Sequence, residues 1–360
     1  MAHGSVAILG AGAIGGYVGA MLHCAGVPVV LVDHWSEHVE AVRRHGLRIE
    51  SSEGNLIEHP PIFHISQMQA VCAHAPELSI MSVKLYDTEW AAALLATYLE
   101  ARVPIITLQN ALVEETVARI VGWQRTLGGI ATGMNVELTE PGVVRRMSAR
   151  FSGAPVFKIG ELSGRDTPRV RHAVELLSTV DTSVVTTDLW NDRWLKLTIN
   201  SMVSPLGALS DLPLDQVLMR PDAQQIVTRL AAECFAVGEA LGFVPHPVFG
   251  LEGSGWRKAA EGDPDACSAV DQACRREAGR VAKGYVSGTG QDLRKGRKSE
   301  VDFFNGYIAA RGRECGVDAL THSAVARTVK AIEAGQFVPE IGLLAQLGGR
   351  STTARGVQGQ

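Results

Sequence analysis

A chain of 360 residues is too long for one ordinary domain and comfortable for two. Its 46% hydrophobic and 20% charged residues are those of a soluble globular protein with ample apolar surface to bury. A formal net charge of -4 and the absence of a long lysine or arginine run argue against nucleic acid or an anionic membrane as the main partner.

In chain order, Ser5–Leu9 reads as a buried strand and Ile14–Cys24 as a helix. Val29–Asp33 is a second strand, and Glu37–His45 a second helix closed by Gly46. A strand at Leu78–Val83, a helix at Glu89–Leu99 and a strand at Val103–Leu108 follow. Apolar strands alternating with amphipathic helices predict parallel βαβ units, hence an α/β fold with a Rossmann-type doubly wound sheet. The stretch from Gly122 to Leu162 is more β-like, with a turn at Glu140-Pro141-Gly142, and is expected to complete the sheet with antiparallel strands. After Asp188 nearly every segment reads as helix: 189–203, 223–241, 263–283, 300–314 and 323–334. The expected division is therefore a dinucleotide-binding domain over 1–187 and an all-helical catalytic domain over 188–346. Residues 244–290, rich in Pro, Gly and charge, are expected to form a mobile helical insertion, and 347–360 a disordered tail.

The six cysteines are scattered without a CxxC pair, so reduced thiols and a cytoplasmic setting are expected. No basic start with a long apolar core marks a signal peptide, and no apolar run of membrane length occurs. The eleven histidines are expected to hold no metal.

The string Gly10-Ala11-Gly12-Ala13-Ile14-Gly15 carries the first functional signal. It follows an apolar strand, opens a helix, and precedes a strand ending at Asp33, 18 residues after Gly15. Gly10 permits a tight turn, Gly12 lets the backbone approach a pyrophosphate, and Gly15 lets helix and strand pack closely. The phosphates would sit at the helix N-terminus, where N–H groups and the dipole favour anions. A carboxylate at Asp33 would bond the ribose hydroxyls of NAD and repel the extra phosphate of NADP. His34, if protonated, would soften that repulsion, and Ser36 reads as the N-cap of the next helix.

The second signal is Trp190–Ser204, read as one helix ended by Pro205, with Leu195, Thr198, Ile199 and Met202 packing on one side. Lys196 and Asn200, four apart, share a face, with Ser204 a turn further on. A lysine among Trp194, Leu195 and Leu197 is expected to be partly desolvated. Desolvation lowers an amine's pKa and suits a general acid that protonates a carbonyl oxygen.

Taken with Ser82-Val83-Lys84, Leu108-Gln109-Asn110, and Gln291 to Asp302 with Asn305-Gly306, these segments resemble the ketopantoate reductase family over almost the whole chain. The resemblance implies reduction of a 2-keto acid to the D-2-hydroxy acid with NADPH. By the same resemblance Lys196 is the catalytic acid and Asn200 a substrate ligand, Lys84 and Asn110 lie along the cofactor, and Glu300 closes the site. Both Lys84 and Asn110 follow predicted strands, where doubly wound sheets bind ligands. Glu300 also reads more plainly, inside a Ser299-x-x-Asp302 capping box.

The departures concern the substrate. Ser204 stands before Pro205 where the family has asparagine, and Leu214 replaces another asparagine. Gly288 falls at the carboxylate-gripping serine, with Ser287 and Thr289 beside it, and Ala111 replaces the glycine of Gln-Asn-Gly. Asp33-His34 stand where the family meets the NADP phosphate. The cofactor is thus NAD(P)H, NADH favoured by Asp33 and NADPH by the resemblance. The substrate is expected to be a 2-keto acid bulkier or more apolar than ketopantoate. Ser204 and Thr289 are taken with Asn200 as substrate contacts. Two other readings compete: a 6-phosphogluconate-dehydrogenase-like 3-hydroxy-acid dehydrogenase, and a non-catalytic dinucleotide sensor. A homodimer through the helical domain fits the reading, with no motif specific to it.

Overall fold

The computed structural model describes residues 4–151 and 153–348. The chain divides into two compact units, Met1–Lys196 and Leu197–Gln360, the division falling inside one long helix.

The first unit runs β1 (Ser5–Leu9), α1 (Ala13–Cys24), β2 (Val29–Asp33), α2 (Ser36–His45), β3 (Leu47–Ser51), β4 (Gly54–Glu58) and β5 (Ile62–His64). Then come α3 (Met68–Cys72), β6 (Pro76–Met81), α4 (Thr88–Tyr98), β7 (Ile105–Thr107), α5 (Glu114–Val121) and β8 (Thr126–Ala131). It ends with β9 (Val136–Glu140), β10 (Val143–Arg146), β11 (Phe157–Glu161), α6 (Pro168–Ser178), β12 (Ser183–Val185) and the start of α7 (Leu189–Ser210). Eight strands form one sheet in the order β12-β11-β8-β7-β6-β1-β2-β5. All neighbours are parallel except β11, which runs antiparallel to β8. The middle strands are buried along nearly their whole length because helices cover both faces. One face packs α1 and α6 against Ile8, Leu31, Ile80 and Leu127, and the other buries Leu9, Val32, Met81 and Ile105.

The expectation for 122–162 is half corrected. β8 and β11 do join the main sheet, but β9 and β10 form a second, four-stranded sheet, order β4-β3-β10-β9. β10 pairs parallel with β3, a partner nearly a hundred residues earlier. Strand alternation in the sequence identifies such strands, but only tertiary pairing tells which sheet they join. A buried ion pair braces this sheet: Arg146 Nη2 lies 2.5 Å from Asp181 Oδ2, and Nη1 donates to the Tyr17 hydroxyl of α1 at 2.8 Å. Burial pushes the Tyr17 phenol up in pKa, against the lowering pull of Arg146.

The second unit is helical: the rest of α7, α8 (Leu214–Val217), α9 (Pro221–Ala240), α10 (Gly253–Ala260), α11 (Pro264–Arg280), α12 (Gly288–Arg294), α13 (Asn305–Cys315), α14 (Leu320–Glu333) and α15 (Gly342–Gly348). α9 is its central helix and buries Ile226, Leu230, Phe235 and Val237 among others. Residues 244–290 are mostly helical, with α10 and α11 packed on α9. Leu347 and Gly348, expected in the tail, instead end α15, and 349–360 lie outside the described residues.

Pro205 does not end α7, as the sequence suggests, but sits inside it. A proline leaves the carbonyl four residues earlier without its helical donor. Here Asn305 Nδ2 supplies that bond to Ser201 O at 2.9 Å, and Ser287 Oγ donates to Ser204 O at 2.7 Å. The buried stripe of α7 is Trp194, Leu197, Thr198, Ser201 and Met202, so Leu195 and Ile199 are only half-buried, contrary to expectation.

Candidate active site

β1 and β6 are neighbours in the sheet although the chain leaves β1 for β2 on the opposite side. That reversal of strand order makes a crevice at the carboxyl ends of the strands, the usual ligand site of such sheets. The glycine turn lies there. Gly10 has φ +96°, and a Cβ on it would lie 2.7 Å from Val83 N. Gly15 packs against Gly10 O and Ser82 Oγ, leaving no room for a side chain. Ser82 Oγ donates to Gly10 O at 2.7 Å and so ties the loop after β6 to the turn after β1.

Gly12 differs from its neighbours, since nothing lies within 4 Å of the position a Cβ would take. It caps α1, which has no side-chain cap and no acidic residue in its first turn. Packing therefore does not require glycine there, whereas close approach of a ligand does. Uncapped N–H groups at Ala13 and Ile14, an open flank at Gly12 and a helix dipole fit the pyrophosphate of a dinucleotide.

Asp33 ends β2, and only 7% of its surface is exposed. Its Oδ1 accepts the Trp35 N–H at 2.9 Å. Ser36 is the first residue of α2 rather than its N-cap, which falls on Trp35. The exposed His34 ring sits 3.7 Å from the same carboxylate. Lys84 heads a single turn just past β6, and Asn110 lies just past β7, both half-buried. Lys196 Nζ donates to the carbonyl of Ala131, the last residue of β8. Because β1, β6, β7 and β8 are parallel, Gly10–Gly15, Lys84, Asn110 and Lys196 all gather at one edge of the sheet. The structure thus brings together residues spread over nearly two hundred positions.

In the second unit Asn200 is half-buried, one turn beyond Lys196 on α7. Ser204 Oγ and Thr289 Oγ1 are 3.0 Å apart and mostly buried. Ser287, the other serine or threonine beside Gly288, accepts from Gly290 N at 3.2 Å and caps α12, so its hydroxyl is engaged locally. Glu300 is half-buried at the head of a turn, Val301–Phe303. The expected capping box does not form: Ser299 is held by Glu333, and Asp302 pairs with Lys330 at 3.0 Å.

Two buried residues that carry no functional motif in the sequence also shape this edge. Arg193 is wholly buried, ion-pairs with Glu114, and donates to Thr107 O at 2.7 Å and Gln109 O at 2.6 Å. It therefore holds the strand end that carries Asn110. His38 bonds the glycine turn itself, with Nε2 2.9 Å from Ala11 O. Burial lowers the His38 pKa, although Asp33 pulls it upward. A polar residue three from Trp190 or five from Asp33 has no signal of burial in the sequence.

Fold and edge define an oxidoreductase of the Rossmann type with a helical second part. The description "Ketopantoate reductase PanE/ApbA" matches residues 6–164, and its C-terminal counterpart residues 188–333. This chain belongs to the ketopantoate reductase family. A 2-dehydropantoate 2-reductase of Halobacterium salinarum is 30% identical over 86% of this chain and 92% of its own length. That of Archaeoglobus fulgidus is 26% identical over 92% and 98%. Among solved structures, a PanE/ApbA family ketopantoate reductase from Ralstonia eutropha superposes with TM-score 0.75 at 25% identity, covering 92% of this chain and 99% of that one. A D-mandelate dehydrogenase solved with NADH and anilino(oxo)acetate superposes with TM-score 0.74 at 20% identity, covering 93% and 100%. None of the helices in the described residues is long and apolar enough to cross a membrane.

Proposed function

We propose that this chain reduces a 2-keto acid other than ketopantoate to its 2-hydroxy acid, preferring NADH, with Lys196 as the general acid. The observation that carries the reading is Lys196 Nζ held on Ala131 O, at the same strand edge as the glycine turn. A bound dinucleotide would supply hydride to the carbonyl carbon. Lys196 then delivers a proton to the carbonyl oxygen, while Asn200 donates a hydrogen bond that orients the substrate. The bond from Nζ to Ala131 uses one of three ammonium donors and fixes where the amine stands. Lys84 and Asn110 flank the dinucleotide, the Ser204–Thr289 pair contacts the substrate, and Glu300 completes the site.

Asp33 supports NADH, because a second phosphate beside a buried carboxylate would meet its charge at low dielectric. The D-mandelate dehydrogenase, of the same fold, was solved with NADH. Buried Leu214, whose side chain cannot hydrogen-bond, supports a substrate more apolar than ketopantoate. A soluble homodimer acting in the cytoplasm is part of the same reading.

Initial rates at 340 nm across a panel of 2-keto acids, each with NADH and NADPH, test it. Faster turnover of apolar or aromatic 2-keto acids with NADH is expected, and ketopantoate winning with NADPH would overturn both choices. Lys196→Ala should lower turnover on the order of a hundredfold or more while leaving dinucleotide binding nearly unchanged. Near-normal turnover in that variant would remove Lys196 from the mechanism.

A further inference from the structure

His38 has no part in the chemistry just described, yet it is fully buried on α2 and touches the glycine turn. Its Nε2 lies 2.9 Å from Ala11 O, and the Gly142 N–H donates to its Nδ1 at 3.0 Å. These partners determine the tautomer. A carbonyl only accepts, so Nε2 carries the proton, and an amide N–H only donates, so Nδ1 does not. The Trp35 ring stacks on the imidazole at 5.9 Å between centroids and 16° between planes. Gly142 belongs to the turn between β9 and β10, so the small sheet anchors the far side of the ring.

The consequence for the turn is geometric. The Ala11–Gly12 peptide has glycine on both flanks of Ala11 and precedes the first helical bond, Gly16 N to Gly12 O. Gly12 has no Cβ, so sterics on that side of the peptide restrict its plane less than any other residue would. In a trans peptide C=O and N–H point in opposite directions. A carbonyl drawn toward His38 thus turns the Gly12 N–H away from α2. Gly12 also differs from Gly10, Gly15 and Gly16 in having no atom within 4 Å of a Cβ position.

We infer that His38 is a positioning residue for the dinucleotide, holding the Ala11–Gly12 peptide so that the Gly12 N–H faces the pyrophosphate. The inference rests on the dinucleotide reading above and adds to it the residue that preorganises the anion cradle. The lowered His38 pKa agrees with it, because a protonated ring would set an Nδ1–H against the Gly142 N–H.

Two amide variants separate the two bonds. In His38→Gln the side-chain nitrogen takes the place of Nε2 and keeps the bond to Ala11. In His38→Asn the side-chain oxygen takes the place of Nδ1, keeps the bond from Gly142 and loses Ala11. NADH affinity of the full chain, measured by NADH fluorescence and calorimetry without substrate, is read beside the thermal midpoint. The expected result is His38→Gln within about threefold of wild type and His38→Asn weaker by up to about tenfold, the size of one net hydrogen bond, at similar midpoints. Equal affinities in the two variants, or losses that track the thermal midpoints, overturn the positioning role. Should neither variant fold, 15N spectra of the wild-type histidines decide. An Nε2-protonated His38 whose Nε2 proton shifts on adding NADH supports the role, and an Nδ1-protonated or unresponsive ring overturns it. A wild-type chain that binds neither NADH nor NADPH overturns the cofactor reading, and with it this one.

Discussion

Two of the polar clusters buried among the described residues, one from each unit, are built on opposite principles. In the first unit Arg193 and Glu114 form a fully buried ion pair, and the guanidinium also donates through Nη1 and Nη2 to Gln109 O and Thr107 O. In the second, Ser201, Cys234, His322 and Asn305 are neutral and equally buried. His322 Nε2 faces Leu230 O at 3.0 Å and Cys234 Sγ at 3.2 Å, and Asn305 Nδ2 donates to His322 Nδ1 at 3.0 Å. Burial drives the His322 pKa down to about 4 and the Cys234 thiol up to about 12. Neither group is therefore charged near neutral pH. The charged cluster pins a strand end beside the candidate site, whereas the neutral one repairs the helix break at Pro205. Charge gives a fork with several fixed partners, and neutrality lets a histidine and an asparagine fill a gap without the cost of a buried ion.

The largest expected effect breaks the charged cluster. Arg193→Met leaves Glu114 buried without its partner and should cost about 3–5 kcal/mol in denaturant unfolding. A loss below about 1 kcal/mol would show that water or a neighbour satisfies the carboxylate.

The neutral cluster should instead be sensitive to acid. His322 binds a proton more weakly folded than unfolded, so its contribution is complete above its ordinary pKa of 6.5 and is lost as pH falls toward about 4. The loss is at most about 3 kcal/mol across that window. Glu233, whose pKa burial raises, caps the N-terminus of α14 and works in the opposite direction. Comparison with His322→Gln isolates the histidine: the variant's stability should fall less steeply between pH 6.5 and 4. Parallel curves would place His322 outside the acid response.

The smallest effect sharpens the account of the strand end that Arg193 holds. Ala111 has φ +58°, a conformation in which a Cβ is strained. Ala111→Gly should stabilise the protein by up to about 1 kcal/mol, the relief exceeding the entropy that glycine adds to the unfolded chain. A lower thermal midpoint would show that the alanine Cβ packs well enough to offset its strain.

Much of the first unit was legible because its signals are local. β1 and β2 occupy the residues their apolar runs indicate, and the roles of Gly10 and Gly15 follow from turn geometry and close packing. The family motifs pointed to Lys84, Asn110 and Lys196, and strand direction explains why they share an edge. Other features were hidden. β3 and β4 are short and half polar, and their sheet closes only when β10 arrives from residues 143–146. Pro205 read as a stop because the donor that rescues the helix, Asn305, lies a hundred positions away. Ser299 and Asp302 have capping-box spacing, but Glu333 and Lys330 compete for them and win.

By itself, then, the sequence determined the doubly wound sheet, the glycine turn with Asp33 at the next strand end, and the helix that carries Lys196 and Asn200. These depend on periodicity and backbone freedom within a few residues. Tertiary structure alone decided which polar side chains are buried, who partners them, and how the glycine turn is held. Those outcomes depend on groups that become neighbours only when distant segments exclude water together, as His38, Ala11 and Gly142 do.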